Sequence, residues 1–271
     1  EGSFGGGYEI RRTLPDGRVE KAALKKLTVP KDNIEIRELY SQSFSKENIT
    51  AHYKDQMREL VNEYTLTQEL NGCRNVVFCH DVQCVQHSDG IGWDIYIRME
   101  LLKPLAQVLG TDYQDADVLK LGLNLCNALL ACQEHSIIHR DISPDNIMVR
   151  PDGRLILLDL GAAKDLDIQG RDGNVQSSQM VAKHGFSPIE QYSKSGKVGP
   201  WTDIYAMAAT IYYCCTGVLP PSATDRMIED TLTCRPRLTK EEFDVLAFCM
   251  NVLPQKRPQN MDALLQIVTH P

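Results

Sequence analysis

Apolar positions follow different periods in the first part of the chain and in the rest. Residues 1–25 alternate apolar and polar positions around the turn "PDG" at 15–17, which predicts a β-hairpin. Residues 31–70 are instead rich in charged residues and helix formers, and they predict helix. Their apolar positions at helical spacing are Met57, Leu60, Val61 and Tyr64.

A second hairpin is predicted from two strand-like runs, 77–87 and 93–102, on either side of the turn "SDGIG". After this hairpin the pattern becomes helical, and residues 115–135 have one apolar face. Two short apolar runs, 137–141 and 155–161, then predict strands. The apolar face of the predicted helix contains Val118, Leu119, Leu121, Leu125 and Leu129.

These elements predict an α+β protein with two lobes. Residues 1–102 would form a small antiparallel-sheet lobe with one or more helices, and residues 103–271 a larger, mainly helical lobe. The longest apolar run, "IYAMAATIYYCCTGVL" at 204–219, is too short and too polar at its edges to span a membrane. It predicts a buried core helix.

Charge and cysteine content narrow the function classes. The net charge of −7 over 271 residues is spread along the chain, which disfavours nucleic acid as the primary partner. The nine cysteines have irregular spacing and no zinc-finger pattern, so a reducing compartment is expected rather than a disulfide framework.

Candidate chemistry is concentrated in "IIHRDISPDNIMV" at 137–149 and in the following apolar run. Asp141 and Asp159 each end such a run, and Asn146 stands five residues after Asp141. Two carboxylates and an amide oxygen are hard donors that suit Mg²⁺ together with a phosphate. A single carboxylate at a strand end is more often a turn or cap residue, so the interpretation depends on the whole set.

At these residues the chain resembles the eukaryotic-like serine/threonine protein kinases. The segments "SPIEQY", "GPWTDIYA" and "GAAK" resemble those of bacterial members of the family. "HRDISPDN" is similar to the catalytic-loop pattern H-R-D-x-x-x-x-N, and "DLG" at 159–161 stands where D-F-G is expected. The resemblance implies the bilobal protein kinase fold. It also implies that Asp141 orients and deprotonates the substrate hydroxyl, while Asn146 and Asp159 hold the metal ions.

Upstream motifs extend the resemblance to the nucleotide site. "EGSFG" resembles the latter part of G-x-G-x-x-G, with Gly2 and Gly5 as its second and third glycines. "AALK" resembles V-A-I-K, which implies that Ala23 lines the ATP site and that Lys25 contacts the α- and β-phosphates. A strand lysine can also simply extend to solvent.

Lys25 needs a partner carboxylate from the following helix. The best register selects Glu63, with Glu59 one helical turn earlier as the alternative. The gap of 38 residues from Lys25 to Glu63 is longer than the family pattern leads one to expect. We therefore expect an extended or additional helix around residues 33–55.

The segment "IRMELL" resembles the hinge that receives adenine. The resemblance implies that Met99 is the gatekeeper at the back of the pocket. Backbone groups of Glu100 and Leu102 would hydrogen-bond the base.

Structural motifs downstream also match. "SPIEQY" stands where A-P-E is expected, which implies an ion pair between Glu190 and Arg257 of "QKRPQN". Asp203 would accept hydrogen bonds from the catalytic-loop backbone, a cap-like role. The resemblance also implies a structural role for His139 of that loop.

Ser143 departs from the family pattern, because serine/threonine kinases usually carry there a lysine that steadies the γ-phosphate. Loss of such a cation should slow transfer unless another takes its place. Lys164 and Lys183 are the candidates, although each could also be a solvated loop lysine. Lys183 also replaces the threonine common just before the substrate-binding turn.

The resemblance implies regulation through the segment that follows Asp159. Arg140, beside the catalytic aspartate, could pair with a phosphate on that segment. Ser177 and Ser178 are the available acceptors, with Ser187 nearer the substrate-binding turn. An equally good interpretation is that these are ordinary polar loop residues.

Three functions remain as hypotheses. The first is an ATP-dependent kinase that phosphorylates serine or threonine in proteins and is expected to autophosphorylate. It would use Mg²⁺, with Mn²⁺ as an alternative. The second is a pseudokinase that binds nucleotide or a partner, and the third is a small-molecule kinase on a related fold. The expected partners are ATP and unidentified protein substrates, without nucleic acid or a membrane segment. We expect this domain to be cytoplasmic. A membrane tether outside these residues would be compatible with that location.

Overall fold

The computed structural model describes residues 6–109, 116–158, 164–165, 182–193 and 195–269. These residues divide into two compact units. The first contains residues up to 71 together with 77–102, and the second contains 72–76 and the residues from 103 onwards. Each unit is described by itself.

The first unit is built on a four-stranded antiparallel sheet of order β1-β2-β4-β3. The predicted hairpins both form, because each turn separates two alternating runs. In β4 alternate residues are buried, with Ile95 and Ile97 fully enclosed. The strands are β1 (Gly6–Thr13), β2 (Val19–Val29), β3 (Cys79–Gln86) and β4 (Trp93–Met99).

Two helices connect β2 to β3. Helix α1 (Asn33–Ser41) begins after Asp32, whose carboxylate accepts from the N–H groups of the first turn, and α2 (Lys46–Glu69) begins after Ser45. They pack against the sheet around Tyr53. The additional helix expected around residues 33–55 is therefore present as α1 and the first half of α2.

Short strands and turns open the second unit. The two-residue strand β5 (Lys103–Pro104) pairs with β7 (Ile147–Val149), which pairs in turn with β8 (Leu155–Leu157). Strand β6 (Ile137–Ile138) pairs with β9 (Lys164–Asp165). The predicted apolar runs thus form strands, but these are shorter than the runs: β6 ends three residues before Asp141, and β8 ends two residues before Asp159.

Helices make up most of the described remainder. They are α3 (Leu105–Leu109), α4 (Ala116–Glu134), α5 (Pro200–Thr216), α6 (Ala223–Ile228), α7 (Lys240–Cys249) and α8 (Met261–Thr269). Nearly every side chain of α5 is buried, because α4 and α7 pack against it. The run 204–219 is thus a core helix, as predicted.

The predicted fold class is confirmed: an antiparallel-sheet unit with helices precedes a mainly helical unit, as in the bilobal kinase fold. All nine cysteines are free thiols, in agreement with the expected lack of a disulfide framework. Within the described residues, the search for an apolar helix long enough to cross a bilayer finds none.

Candidate active site

The loop between β6 and β7 brings Asp141 and Asn146 into direct contact. A single 3-10 turn, Pro144–Asn146, folds the loop back on itself. The Asn146 side-chain nitrogen Nδ2 then donates to the Asp141 carboxylate oxygen Oδ2 at 2.7 Å and to its backbone carbonyl at 2.8 Å. These two bonds fix the orientation of both functional side chains relative to each other.

Asp203, near the start of α5, holds the same loop by its backbone. Its two carboxylate oxygens accept from the N–H groups of His139 at 2.7 Å and of Arg140 at 2.8 Å. Burial raises the pKa of the Asp203 carboxyl, while these N–H donors favour its charged form. The predicted contact of Asp203 with the loop backbone is present.

Arg140 has an unusual backbone. Its φ of 68° lies in the left-handed region, which non-glycine residues rarely adopt. Its N–H is held by Asp203, and its carbonyl accepts from Gln191 Nε2 at 2.7 Å. The side chain is buried, its Nε has no hydrogen-bond partner among the described residues, and burial lowers the pKa of the guanidinium.

His139 is fully buried and serves the loop as a structural residue. Its ring Nε2 lies 2.9 Å from the carbonyl oxygen of Leu158, and its Nδ1 accepts from the N–H of Asp141 at 3.3 Å. The ring therefore links the catalytic loop to the end of β8, one residue before Asp159.

Ser143 is fully buried and is the partner of a lysine from another segment. Lys183 Nζ donates to Ser143 Oγ at 2.8 Å and also to Asp145 Oδ2. The ammonium group thus lies against the loop that contains Asp141. Of the two lysines considered for a substitute cation, Lys183 reaches the loop, while the Lys164 side chain lies outside the described residues.

The far end of the segment 182–193 is anchored by the predicted ion pair. Arg257 donates from Nη1 and Nη2 to the two oxygens of Glu190, at 2.7 and 3.1 Å, and both side chains are buried. Thr202 Oγ1 adds a third hydrogen bond to Glu190 at 2.9 Å. The Arg257 guanidinium also lies over the Tyr205 ring, 4.8 Å from its centroid.

In the first unit, Lys25 lies on β2 and contacts the buried Tyr64 of helix α2. Its Nζ lies 5.5 Å from the centroid of the Tyr64 ring. Glu63, the neighbour of Tyr64, is half-buried, whereas Glu59 is exposed one turn earlier. This difference favours the register that selects Glu63.

The end of β4 is where the adenine hinge is predicted. Met99 pairs with Ala23 across the sheet, so these two residues stand side by side. The N–H of Glu100 donates to the Phe78 carbonyl at 3.0 Å. A contact of Glu100 with a base would therefore use its carbonyl, while Leu102 is half-buried at the end of the unit.

Comparison with known proteins agrees with this geometry. The family described as "Protein kinase domain" matches residues 36–271. The chain belongs to the protein kinase domain family. Membership implies ATP, a divalent metal ion and protein substrates in general terms. Lys25 and the glycine-rich segment lie before the matched residues, so their roles stay predictions.

Several curated kinases are similar to the domain. Sperm motility kinase 3A of Mus musculus is 27% identical over 187 residues, 65% of this chain and 35% of that protein. A probable serine/threonine-protein kinase of Clostridium perfringens is 28% identical over 80% of this chain and 30% of that protein. Serine/threonine-protein kinase F of Synechocystis is 42% identical over 30% of this chain and 16% of that protein.

The expected likeness to bacterial serine/threonine kinases is thus confirmed. The chain spans about a third of the length of the curated relatives it matches. What the whole protein does, and on which substrates, therefore belongs to the proposals below.

The donor chemistry of the kinase loop fits a divalent metal ion. Because the Asn146 nitrogen is committed to Asp141, its amide oxygen is the atom left to bind a metal. Asp159, the second predicted ligand, lies outside the described residues. Among the described residues alone, no group of three acidic, histidine or cysteine side chains could hold a metal ion.

Several other predicted residues also lie outside the described ranges. They are Gly2, Gly5, Ser177 and Ser178. The convergence of Lys25 with Asp141, Asn146 and Asp159 around one triphosphate stays a prediction.

Two residues that shape the site are not identified by any sequence motif. Gln191 holds the Arg140 carbonyl, and Tyr64 carries the ring under Lys25. No residue type or spacing singles out Gln191, because its role depends on a contact across 51 positions. Tyr64 was assigned only as an apolar helix position.

Proposed function

We propose that this chain is the catalytic domain of an ATP-dependent protein kinase that phosphorylates serine or threonine. The observation that carries the proposal is the hydrogen-bonded pair of Asp141 and Asn146, held in place through Asp203. Because Asn146 occupies Oδ2, the second oxygen of Asp141, Oδ1, is the atom we propose for the substrate hydroxyl. A general base needs this kind of fixed position within hydrogen-bond reach of its proton.

The reaction would exchange one P–O bond for another. The bond between the γ-phosphorus of ATP and the β–γ bridging oxygen breaks, and a bond forms from that phosphorus to the substrate hydroxyl oxygen. The hydroxyl proton passes to the Asp141 carboxylate, and ADP leaves with the electrons of the broken bond. Asn146 keeps Asp141 oriented throughout, since it donates to the oxygen that does not take the proton.

A divalent ion, when bound, would neutralise the phosphate charge that develops on the leaving group. Asn146 and Asp159 are the residues proposed to hold it, with Mg²⁺ as the ion of choice. In the first unit Lys25 would contact the α- and β-phosphates, with Glu63 as its proposed partner.

The substrate class rests on the motifs and on the relatives. The catalytic loop lacks the Ala-Ala-Arg motif that is typical of tyrosine kinases. The buried Glu190–Arg257 pair anchors the segment 182–193, and Gln191 of that segment holds the carbonyl of Arg140, the residue before Asp141. A segment fixed in this way against the loop suits an extended peptide better than a small molecule. Autophosphorylation on Ser177 or Ser178 is part of the proposal. Ser187 is a poor acceptor, because it is buried and its Oγ is used by the Lys183 N–H.

The proposal includes a cytoplasmic location for the domain, supported by the nine free thiols. A pseudokinase is the second candidate function, and Ser143 is the observation that favours it. Such a protein would bind nucleotide without efficient transfer.

The test is phosphoryl transfer by the full-length protein with ATP and Mg²⁺, measured on itself and on a generic serine/threonine peptide. We expect transfer in the parent and a loss of at least about 10²-fold in Asp141→Asn. Lys25→Met should also lose transfer. Asp152→Asn is the matched control for Asp141→Asn, because Asp152 lies on an exposed turn of the same unit as Asp141. This variant should keep phosphoryl transfer.

Nucleotide-dependent thermal stabilisation separates the two candidate functions. Stabilisation by ATP with no transfer in the parent would favour the pseudokinase. Equal transfer in the parent and in Asp141→Asn would contradict the assigned base.

A further inference from the structure

We propose that Lys183 supplies the cation that stabilises the transferred γ-phosphoryl group, in the place of a lysine within the catalytic loop. This inference rests on the proposed function and deepens it. It gives a chemical role to a residue of the segment 182–193. It also explains how the loop can carry Ser143 without losing positive charge beside Asp141.

The contact pattern of the ammonium group is the first argument. Lys183 Nζ donates to Ser143 Oγ at 2.8 Å and to Asp145 Oδ2; Ser143 precedes the 3-10 turn that positions Asn146, and Asp145 lies within that turn. An ammonium group has three N–H donors. Two are used in these contacts, so a third can be donated to a phosphate oxygen.

The burial of Ser143 is the second argument. Its side chain is fully enclosed, so its hydroxyl acts within the protein and cannot itself reach a nucleotide. Its hydroxyl oxygen receives the Lys183 ammonium. Ser143 is therefore a positioning residue for Lys183.

The backbone around Lys183 is also well held. Its N–H donates to Ser187 Oγ at 2.8 Å, and its carbonyl accepts from the N–H groups of Phe186 and Ser187 at 3.0 and 2.9 Å. Gly185, with φ of 80°, allows this tight turn, and a side chain there would collide with Leu219. Such a turn directs the lysine toward the loop and limits where its ammonium can go.

The charge environment suits a role in catalysis. The Lys183 side chain is 34% exposed and that of Asp145 is 74% exposed, so water solvates the carboxylate and weakens the pair. The ammonium can then exchange Asp145 for a more highly charged phosphate. Within residues 139–146 and 182–193, Lys183 is the one lysine in the sequence.

Exchange of the two side chains tests the proposal. Lys183→Ser alone should lower kcat for peptide phosphorylation about 10²-fold while the KM for ATP changes less than about threefold, since the cation acts mainly in the transition state. The double variant Ser143→Lys with Lys183→Ser puts the ammonium on the loop. It should recover at least about tenfold over the single variant.

Lys240→Ser is the matched control, because Lys240 also forms an exposed pair, with Asp244, far from the loop in sequence. It should keep the parent kcat. Nucleotide-dependent thermal stabilisation reports folding for every variant. If Lys183→Ser does not fold, Lys183→Gln replaces it in the same comparison.

Each outcome bears on the proposal. A parent-like kcat in Lys183→Ser would overturn it. A folded double variant, Ser143→Lys with Lys183→Ser, that is no faster than Lys183→Ser alone would also overturn it and would leave Lys183 a structural residue. Absence of transfer in the parent would contradict the proposed function itself. Transfer in the parent that survives loss of Lys183 contradicts this inference alone.

Discussion

Two ion pairs hold the segment 182–193 at its two ends, and they differ in nearly every physical respect. Glu190 and Arg257 are almost fully buried, with side chains 4% and 0% exposed, and their hydrogen bonds are bidentate. Lys183 and Asp145 are 34% and 74% exposed, and one ammonium is shared between a carboxylate and Ser143.

The difference in burial distinguishes an ion pair that stabilises the fold from one whose charge is available for chemistry. A buried pair cannot lose one partner without leaving an unsolvated charge, so it is fixed. An exposed pair contributes little to stability and can be exchanged at small cost. The buried pair therefore anchors the segment, while the exposed pair places a solvated charge against the loop that contains Asp141.

Breaking the buried pair should have the largest effect on stability. Arg257→Met removes the guanidinium and leaves the Glu190 carboxylate buried, so the free energy of unfolding should fall by about 3–5 kcal/mol. Urea unfolding followed by circular dichroism measures it. Lys240→Met, at an exposed pair, is the control and should change the free energy by less than about 1 kcal/mol. Similar losses in the two variants would contradict the comparison.

A partly buried pair in the first unit should give an intermediate effect with a defined pH dependence. Partial burial acts to raise the pKa of Asp94, but hydrogen bonds from Lys26, Thr28 and His87 outweigh it and lower that pKa to about 2. Because the folded pKa lies below the ordinary value, the stabilisation is present above about pH 4. It is lost as the pH falls through about 2.

Asp94→Asn should therefore reduce the free energy of unfolding at pH 7 by about 1–2 kcal/mol. The difference from the parent should shrink as the pH falls below about 4. Urea unfolding at a series of pH values measures both effects, with the exposed Asp244→Asn as a control. A difference that stays constant down to pH 3 would show that charge is not its cause.

Removing the charge of the exposed pair should have the smallest effect. Asp145→Asn should change the free energy of unfolding by less than about 1 kcal/mol, since water already solvates its carboxylate. The same urea assay measures it. A loss as large as that of Arg257→Met would mean that the Lys183 contact is part of the folding framework, and it would remove the distinction drawn above.

Much of the fold could be predicted from the sequence, because its signals are local. The turns at 15–17 and 88–92 predict both hairpins, the periodic apolar positions of 115–135 predict α4, and the continuous apolar run 204–219 predicts the core helix α5. The additional helix α1 was expected from the helix-forming composition of 31–70 together with the long gap between Lys25 and Glu63. The pairing of β5 with β7 was not predicted, since two-residue strands have no periodicity to detect.

The site was predictable where a motif lists residue types at fixed spacing, as for Asp141 and Asn146. Contacts between residues far apart in the sequence could not be predicted in the same way. Lys183 was one of two candidate cations, and its distance of 40 positions from Ser143 gave no reason to choose it. Gln191 carried no signal, because a glutamine amide can serve any backbone carbonyl that the fold brings near.

The left-handed backbone at Arg140 is hydrogen-bonded to two other parts of the second unit. Asp203 of α5 accepts from its N–H, and Gln191 of the segment 182–193 donates to its carbonyl. For a non-glycine residue this conformation costs roughly 1–3 kcal/mol and persists only while its surroundings enforce it. Loss of the Gln191 contact would remove one of the two hydrogen bonds that enforce this backbone, so Gln191 helps to maintain the conformation of the residue directly before Asp141.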